Sequence, residues 1–214
     1  MSKTEELDQL FEQWVEEFPQ YRGKFKKDGI IDEETFEAQE IKLLFITKEP
    51  NDPGQREGDY REWLKEVKHS FSHRICEWAF GVHEDFPPLN QLNCAKRKEI
   101  MKTIAFMNLK KIGGEAKAND REIQKVIENE KELLKGEIDI IKPTIMIGSV
   151  GRKSGYLNSL FNTDSFKDSG FDVEVGRFKT YKIINFYHPS YRVPRAMSYA
   201  LLGAVVNSQI FRNL

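Results

Sequence analysis

Apolar residues along this chain repeat at two different intervals, and the interval changes from segment to segment. Over residues 5–18, Leu7, Leu10, Phe11, Trp14 and Phe18 recur at steps of three and four with Glu and Gln between them. That spacing predicts a helix with one buried stripe, ended by Pro19. The run Ile41-Lys42-Leu43-Leu44-Phe45-Ile46 is short and nearly continuous, and polar Thr47-Lys48-Glu49-Pro50-Asn51-Asp52 stops it abruptly. It reads as a strand buried on both faces. Pro50 lacks an N–H and turns Glu49 away from helical angles, so a loop should follow the strand.

Similar runs predict strands at 104–107 and 143–147, the latter closed by Gly148. Residues 173–184 suggest a hairpin with Gly176 at the turn, its returning strand running into Asn185-Phe186-Tyr187. Helical spacing fills the intervals. A short acidic helix is expected at 33–39 and a longer helical region at 60–81, carrying Trp63, Leu64, Val67, Phe71, Ile75, Trp78 and Phe80. Another helix begins at Asn93 or Cys94 and reaches about Lys102. One capped by Asp120 runs through Ile123, Val126, Ile127, Leu133 and Leu134, with Gly136 as a candidate break. Helices are also expected at 151–161 and 196–210, and residues 21–32 form a basic connector with a turn at Asp28-Gly29.

Strands alternating with helices imply a parallel sheet covered on both faces. The expected fold is therefore α/β, a three-layer α/β/α arrangement around a central, mostly parallel four-stranded sheet. A single domain is expected over 1–214, with an N-terminal helical extension to about residue 40 and a helical insertion at about 52–90. No internal repeat is present.

Composition narrows the function classes. Hydrophobic residues make up 39% and charged residues 31%, which suits a packed core under a charged surface and excludes a disordered chain. With 33 basic and 34 acidic residues the net charge is −1, so contact with nucleic acid would rest on a local basic patch. Cys76 and Cys94 are the two cysteines, too few for a four-cysteine cluster or a disulfide framework, and both are expected to be buried thiols. No segment reads as a signal peptide or a membrane span, so a cytoplasmic monomer with no membrane partner and no obligatory protein partner is expected.

Open α/β sheets bind ligands beyond the carboxyl ends of their strands. Three of those ends are polar here: Glu49 after the first strand, Asn108 after the second and His188 after the last. An acid, an amide and an imidazole could thus share one pocket. Lys110, Lys111, Arg192 and Arg195, with Tyr191 among them, are candidates for phosphate contact and for wedging a duplex. His69 and His73 are four apart, but no HExxH pattern accompanies them, and no metal is expected. The stretch from Gly148 to Ser154 lacks phosphate-loop spacing and reads as a strand-to-helix turn.

Four stretches together resemble the uracil-DNA glycosylase superfamily. Phe186-Tyr187-His188-Pro189-Ser190-Tyr191-Arg192 is similar to its His-Pro-Ser signature, and Thr47-Lys48-Glu49-Pro50-Asn51 to its first signature, of which GQDPY is one form. The strand ending Met107-Asn108-Leu109-Lys110-Lys111 resembles the one carrying the family's base-reading Asn, and Pro143-Thr144-Ile145-Met146-Ile147-Gly148 resembles the strand that follows. The resemblance implies a DNA glycosylase that hydrolyses the N-glycosidic bond of uracil or another damaged or modified base, with DNA as partner and no cofactor. It implies Glu49 as the catalytic carboxylate, His188 as the donor to the leaving base, Asn108 and Asn51 at the base, and Lys110, Lys111, Ser190, Tyr191, Arg192 and Arg195 toward DNA. Lys48 stands where the family offers Gln or Glu. Asn51 stands where the uracil enzyme has a Tyr that walls off a 5-methyl group, so strict uracil specificity does not follow. A non-catalytic nucleic-acid- or nucleotide-binding module on the same fold is the alternative.

Overall fold

The computed structural model describes residues 1–214 except 116–117, 152–154 and 163–164. Helix α1 (Lys3–Glu17) opens with a reciprocal cap. Ser2 Oγ accepts the Glu5 N–H at 3.2 Å, and Glu5 Oε2 accepts the Ser2 N–H at 2.8 Å. Short strands β1 (Lys26–Lys27) and β2 (Gly29–Ile30) precede helix α2 (Glu33–Glu37) and strand β3 (Leu43–Thr47). Then come β4 (Gly58–Asp59), α3 (Tyr60–Lys65), α4 (Ser70–Glu84), α5 (Cys94–Lys102), β5 (Ile104–Asn108) and α6 (Asp120–Ile141). The chain closes with β6 (Ile145–Gly148), α7 (Gly155–Phe161), β7 (Lys167–Asp168), β8 (Glu174–Phe178), β9 (Tyr181–Asn185), α8 (Arg195–Asn207) and α9 (Gln209–Arg212).

The main sheet is mixed and seven-stranded, in the order β2-β5-β3-β6-β9-β8-β7, which corrects the expectation of four strands. The expected strands β5, β3, β6 and β9 are neighbours within it and pair in parallel. Antiparallel strands extend it on both sides: β2 on β5, β8 on β9 and β7 on β8. A separate parallel pair joins β1 to β4. Strands β2 and β7 are two residues long, too short to show any periodicity. The hairpin between β8 and β9 turns beyond Gly176, with Lys179 at φ +52°. Gly176 lies inside β8, where a Cβ would stand 3.1 Å from the Phe166 ring.

Successive residues of a strand point to opposite faces, so each interior strand feeds two cores. Leu44, Ile46, Ala105, Met107, Met146 and Ile183 join α1, α6 and α7 on one face. Leu43, Phe45, Phe106, Ile147, Ile184 and Phe186 join α4, α5 and α8 on the other. The N-terminal helix is part of the first core, with Leu7, Phe11 and Trp14 buried in it. Helix α6 runs unbroken through Gly136, which packs against Leu10 of α1. The burial of its apolar stripe outweighs the cost of about 1 kcal/mol for an interior Gly. Its N-cap is Asn119, not Asp120. The expected helix over 60–81 is instead two helices, separated where Val67 takes φ +49°.

Candidate active site

The carboxyl ends of β3, β6 and β9 open into a cleft of about 560 Å³. The segment after β3 contributes Lys48, Glu49 and Asn51, and the one after β6 contributes Ser149, Val150 and Gly151. From β9 come Phe186, Tyr187, His188, Ser190 and Tyr191, while Glu115, Ala118 and Asp120 line the side toward α6. A second hollow, beside Asp172 and Asn185, holds about 20 Å³, space for about one water.

Glu49 is anchored on two sides. Its side chain is 5% exposed, and Oε2 lies 2.9 Å from Lys110 Nζ, which also reaches Glu122 at 2.9 Å. Burial opposes the Lys110 charge, but its bonds to Glu122 and Glu49 hold it above its ordinary pKa. Gly114 backs the carboxylate so closely that a Cβ there would collide with it. The Gly114 N–H donates to Pro50 at 2.8 Å, and its carbonyl accepts from Asp52 at 3.1 Å, so this contact is built into the loop.

His188 is oriented by its own loop. The backbone N–H of Ser190 donates to Nδ1 at 3.2 Å, which leaves the proton of a neutral imidazole on Nε2. Phe71 of α4 packs against the ring at 5.6 Å between centroids. The residue keeps an open surface toward the cleft, yet its surroundings push the imidazole down to about 4, first by desolvation and then through Lys48. His188 is therefore neutral at pH 7. Lys48 reaches Asp120 Oδ1 at 2.8 Å and lies 5.1 Å from the Tyr156 ring centroid. The Tyr156 hydroxyl donates to the same Asp120 oxygen at 2.7 Å. Tyr187 and Tyr191 stack at 5.3 Å with planes 21° apart, and Tyr191 is 52% exposed.

The structure brings Glu49, Asn51, His188, Ser190 and Tyr191 to the cleft, with Lys110 directly behind Glu49. Two expectations are corrected. Asn108 is 1% exposed and does not line the cleft. Its Oδ1 accepts from Thr47 Oγ1 at 2.7 Å, and its backbone N–H and Nδ2 both donate to Asp28, so the amide is spent internally and cannot read a base. Lys111 is wholly buried, with Nζ 2.5 Å from Asp28 and 2.6 Å from Glu137, so it reaches no phosphate. Burial and then Asp28 raise the Glu137 carboxyl well above its ordinary range. Arg195 is half exposed but held by buried Glu77, with Nε at 2.7 Å, and Arg192 is exposed outside the cleft.

Sequence reasoning missed Ser149, Phe71 and Asp120. Ser149 carried a signal, since it follows β6 at the same rim; Phe71 and Asp120 arrive from elements whose placement is tertiary. The histidines of the α3–α4 region have other partners. His69 stacks on Trp63 at 5.0 Å, and His73 Nε2 lies 2.9 Å from the Val67 carbonyl. Among the described residues, no group of three His, Cys, Asp or Glu is placed to hold a metal ion. Cys76 is buried, but Cys94 is exposed at the start of α5, contrary to expectation. No helix among the described residues is long and apolar enough to cross a membrane. Compared with known proteins, the chain matches no family model and no curated relative.

Proposed function

We propose that the cleft hydrolyses the N-glycosidic bond of a damaged or modified base in DNA. The observation that carries this reading is the pairing, in one cleft, of a fixed carboxylate with a neutral imidazole whose Nε2–H is free to donate. Cleavage of that bond gives the sugar cationic character and the base negative charge. Glu49 supplies negative charge for the sugar and an acceptor to orient water. His188 supplies a donor for the base oxygen as charge develops there. The base must leave the helical stack to reach such a site, and the stacked Tyr187 and Tyr191 offer an aromatic surface at the cleft for it.

A non-catalytic nucleic-acid-binding module is the second reading. The observations favouring it are the Glu49–Lys110 ion pair, which offsets the carboxylate's charge, and the internal use of the Asn108 amide. One assay separates the two. The protein is incubated with oligonucleotides carrying a panel of modified bases, and abasic sites are revealed by alkali. Strand scission at one modified position is expected. Binding without scission at any of them would favour the module.

A further inference from the structure

We propose that Ser149 is the substrate-contacting hydroxyl on the floor of this cleft, binding the polar edge of the planar heterocycle that enters. The ligand class, a nucleobase, rests on the glycosidase reading above; the site itself rests on three observations about Ser149.

The first is position. Strand β6 lies between β3 and β9, with Ile46 opposite Gly148 and Gly148 opposite Asn185. The residue after Gly148 therefore stands between the strand that leads to Glu49 and the one that leads to His188. Its backbone is fixed there by the Ser149 N–H donating to Ile46 at 2.7 Å, while Phe186 N–H reaches the Gly148 carbonyl at 2.9 Å. The second is direction. Side chains alternate along a strand, so Ser149 shares a face with Ile147. Ile147 belongs to the core against which Phe71 packs, and the His188 ring meets Phe71, so Ser149 and His188 are on one side of the sheet.

The third is an unmet hydrogen bond. Ser149 is 1% exposed and lines the cleft, and its Oγ is buried without a hydrogen-bond partner among the described residues. Most buried hydroxyls are bonded, because desolvating one without a replacement is unfavourable. A rotation about χ1 is the ordinary freedom of a serine, and a ligand in the cleft would give that rotation a partner. The hydroxyl both donates and accepts, which suits a base edge. It also fills a vacancy in the chemistry, since the Asn108 amide is already committed to Thr47 and Asp28.

The test uses Ser149→Ala in the full chain. A serine with an internal partner loses stability on this change; Ser149 Oγ has none among the described residues, so the variant should melt at or above the parent temperature. Free uracil, thymine, cytosine, adenine, guanine and hypoxanthine are then titrated into both proteins by heteronuclear NMR. At least one should shift the Ser149 amide in the parent, and Ser149→Ala should bind it about tenfold more weakly, the scale of one hydrogen bond. Melting several degrees lower, or unchanged binding of every base, or no base reaching Ser149, would each overturn the proposal. Binding that depends on Ser149 without base release from any oligonucleotide would support the site and defeat hydrolysis. Base release at the parental rate in Ser149→Ala would do the reverse.

Discussion

Lys111→Met removes the cation from a buried ionic cluster, and its cost can be worked from the contacts. Lys111 and Glu137 are wholly buried, and Asp28 nearly so. The ammonium touches Asp28 at 2.5 Å and Glu137 at 2.6 Å, and lies 5.3 Å from the Trp14 ring and 5.6 Å from the Phe11 ring. Met replaces the volume but leaves the carboxyl groups without a cation. Breaking a buried pair from one side costs about 3–5 kcal/mol. In a domain of this size each kcal/mol moves the melting temperature by about 2–4 °C, so a fall of about 10 °C is expected. Urea unfolding at fixed pH gives the free energy directly. The pH dependence adds a second check. Losing the cation raises the native Glu137 pKa further above its unfolded value, so the native state binds more protons and loses stability as pH rises. The deficit should therefore be larger at pH 8 than at pH 5. A variant within about 1 kcal/mol of the parent, or a deficit that grows toward acid, would refute this account of the cluster.

Three other outcomes follow from the same geometry. Burial and then Asp28 raise the Glu137 carboxyl above its ordinary range, so its ionised form is disfavoured in the native state and Glu137→Gln removes that penalty; stability at pH 8 should be unchanged or higher, and a loss of several kcal/mol in urea unfolding would count against it. His83, beside Thr103 Oγ1 at 3.0 Å, is pushed down to about 4 by burial, below its ordinary 6.5. The unfolded state binds the proton first, so stability should rise with pH between those values by up to about 3 kcal/mol, and His83→Gln should flatten that slope. His188 must be neutral to donate as a neutral imidazole, so single-turnover base release should stay level from pH 8 down to about 5 and fall as pH nears 4; half-loss near 6.5 would mean an ordinary imidazole.

The interior of the sheet was legible because β3, β5 and β6 are unbroken apolar runs, the first two ending in a polar residue and the third in Gly148. The edges were not. Two residues of β2 carry no pattern, yet that strand brings Asp28 against the end of β5. This arrangement decides the fate of two site expectations. Asn108 and Lys111 look the same in sequence whether they face a cleft or a buried acid, and the acid that claims both, Asp28, read as part of a turn in a basic connector. The hairpin turn was misplaced for a local reason, since Lys179 takes the left-handed conformation usually given to Gly. Glu49 and His188 were legible because each lies two or three residues past a strand and immediately before a Pro, which holds it near the rim. Phe71 was not, because its contact with His188 comes from a helix far away in the chain.

The central claim, that Glu49 and His188 form a site for N-glycosidic hydrolysis, is tested most directly by single-turnover base release from the modified-base panel with the parent and Glu49→Gln. The substitution keeps the shape of the side chain and removes its charge. Release of one base by the parent is expected, slowed by about a hundredfold or more in Glu49→Gln while DNA affinity holds or rises. No release from any substrate, or equal rates for the two proteins, would contradict it.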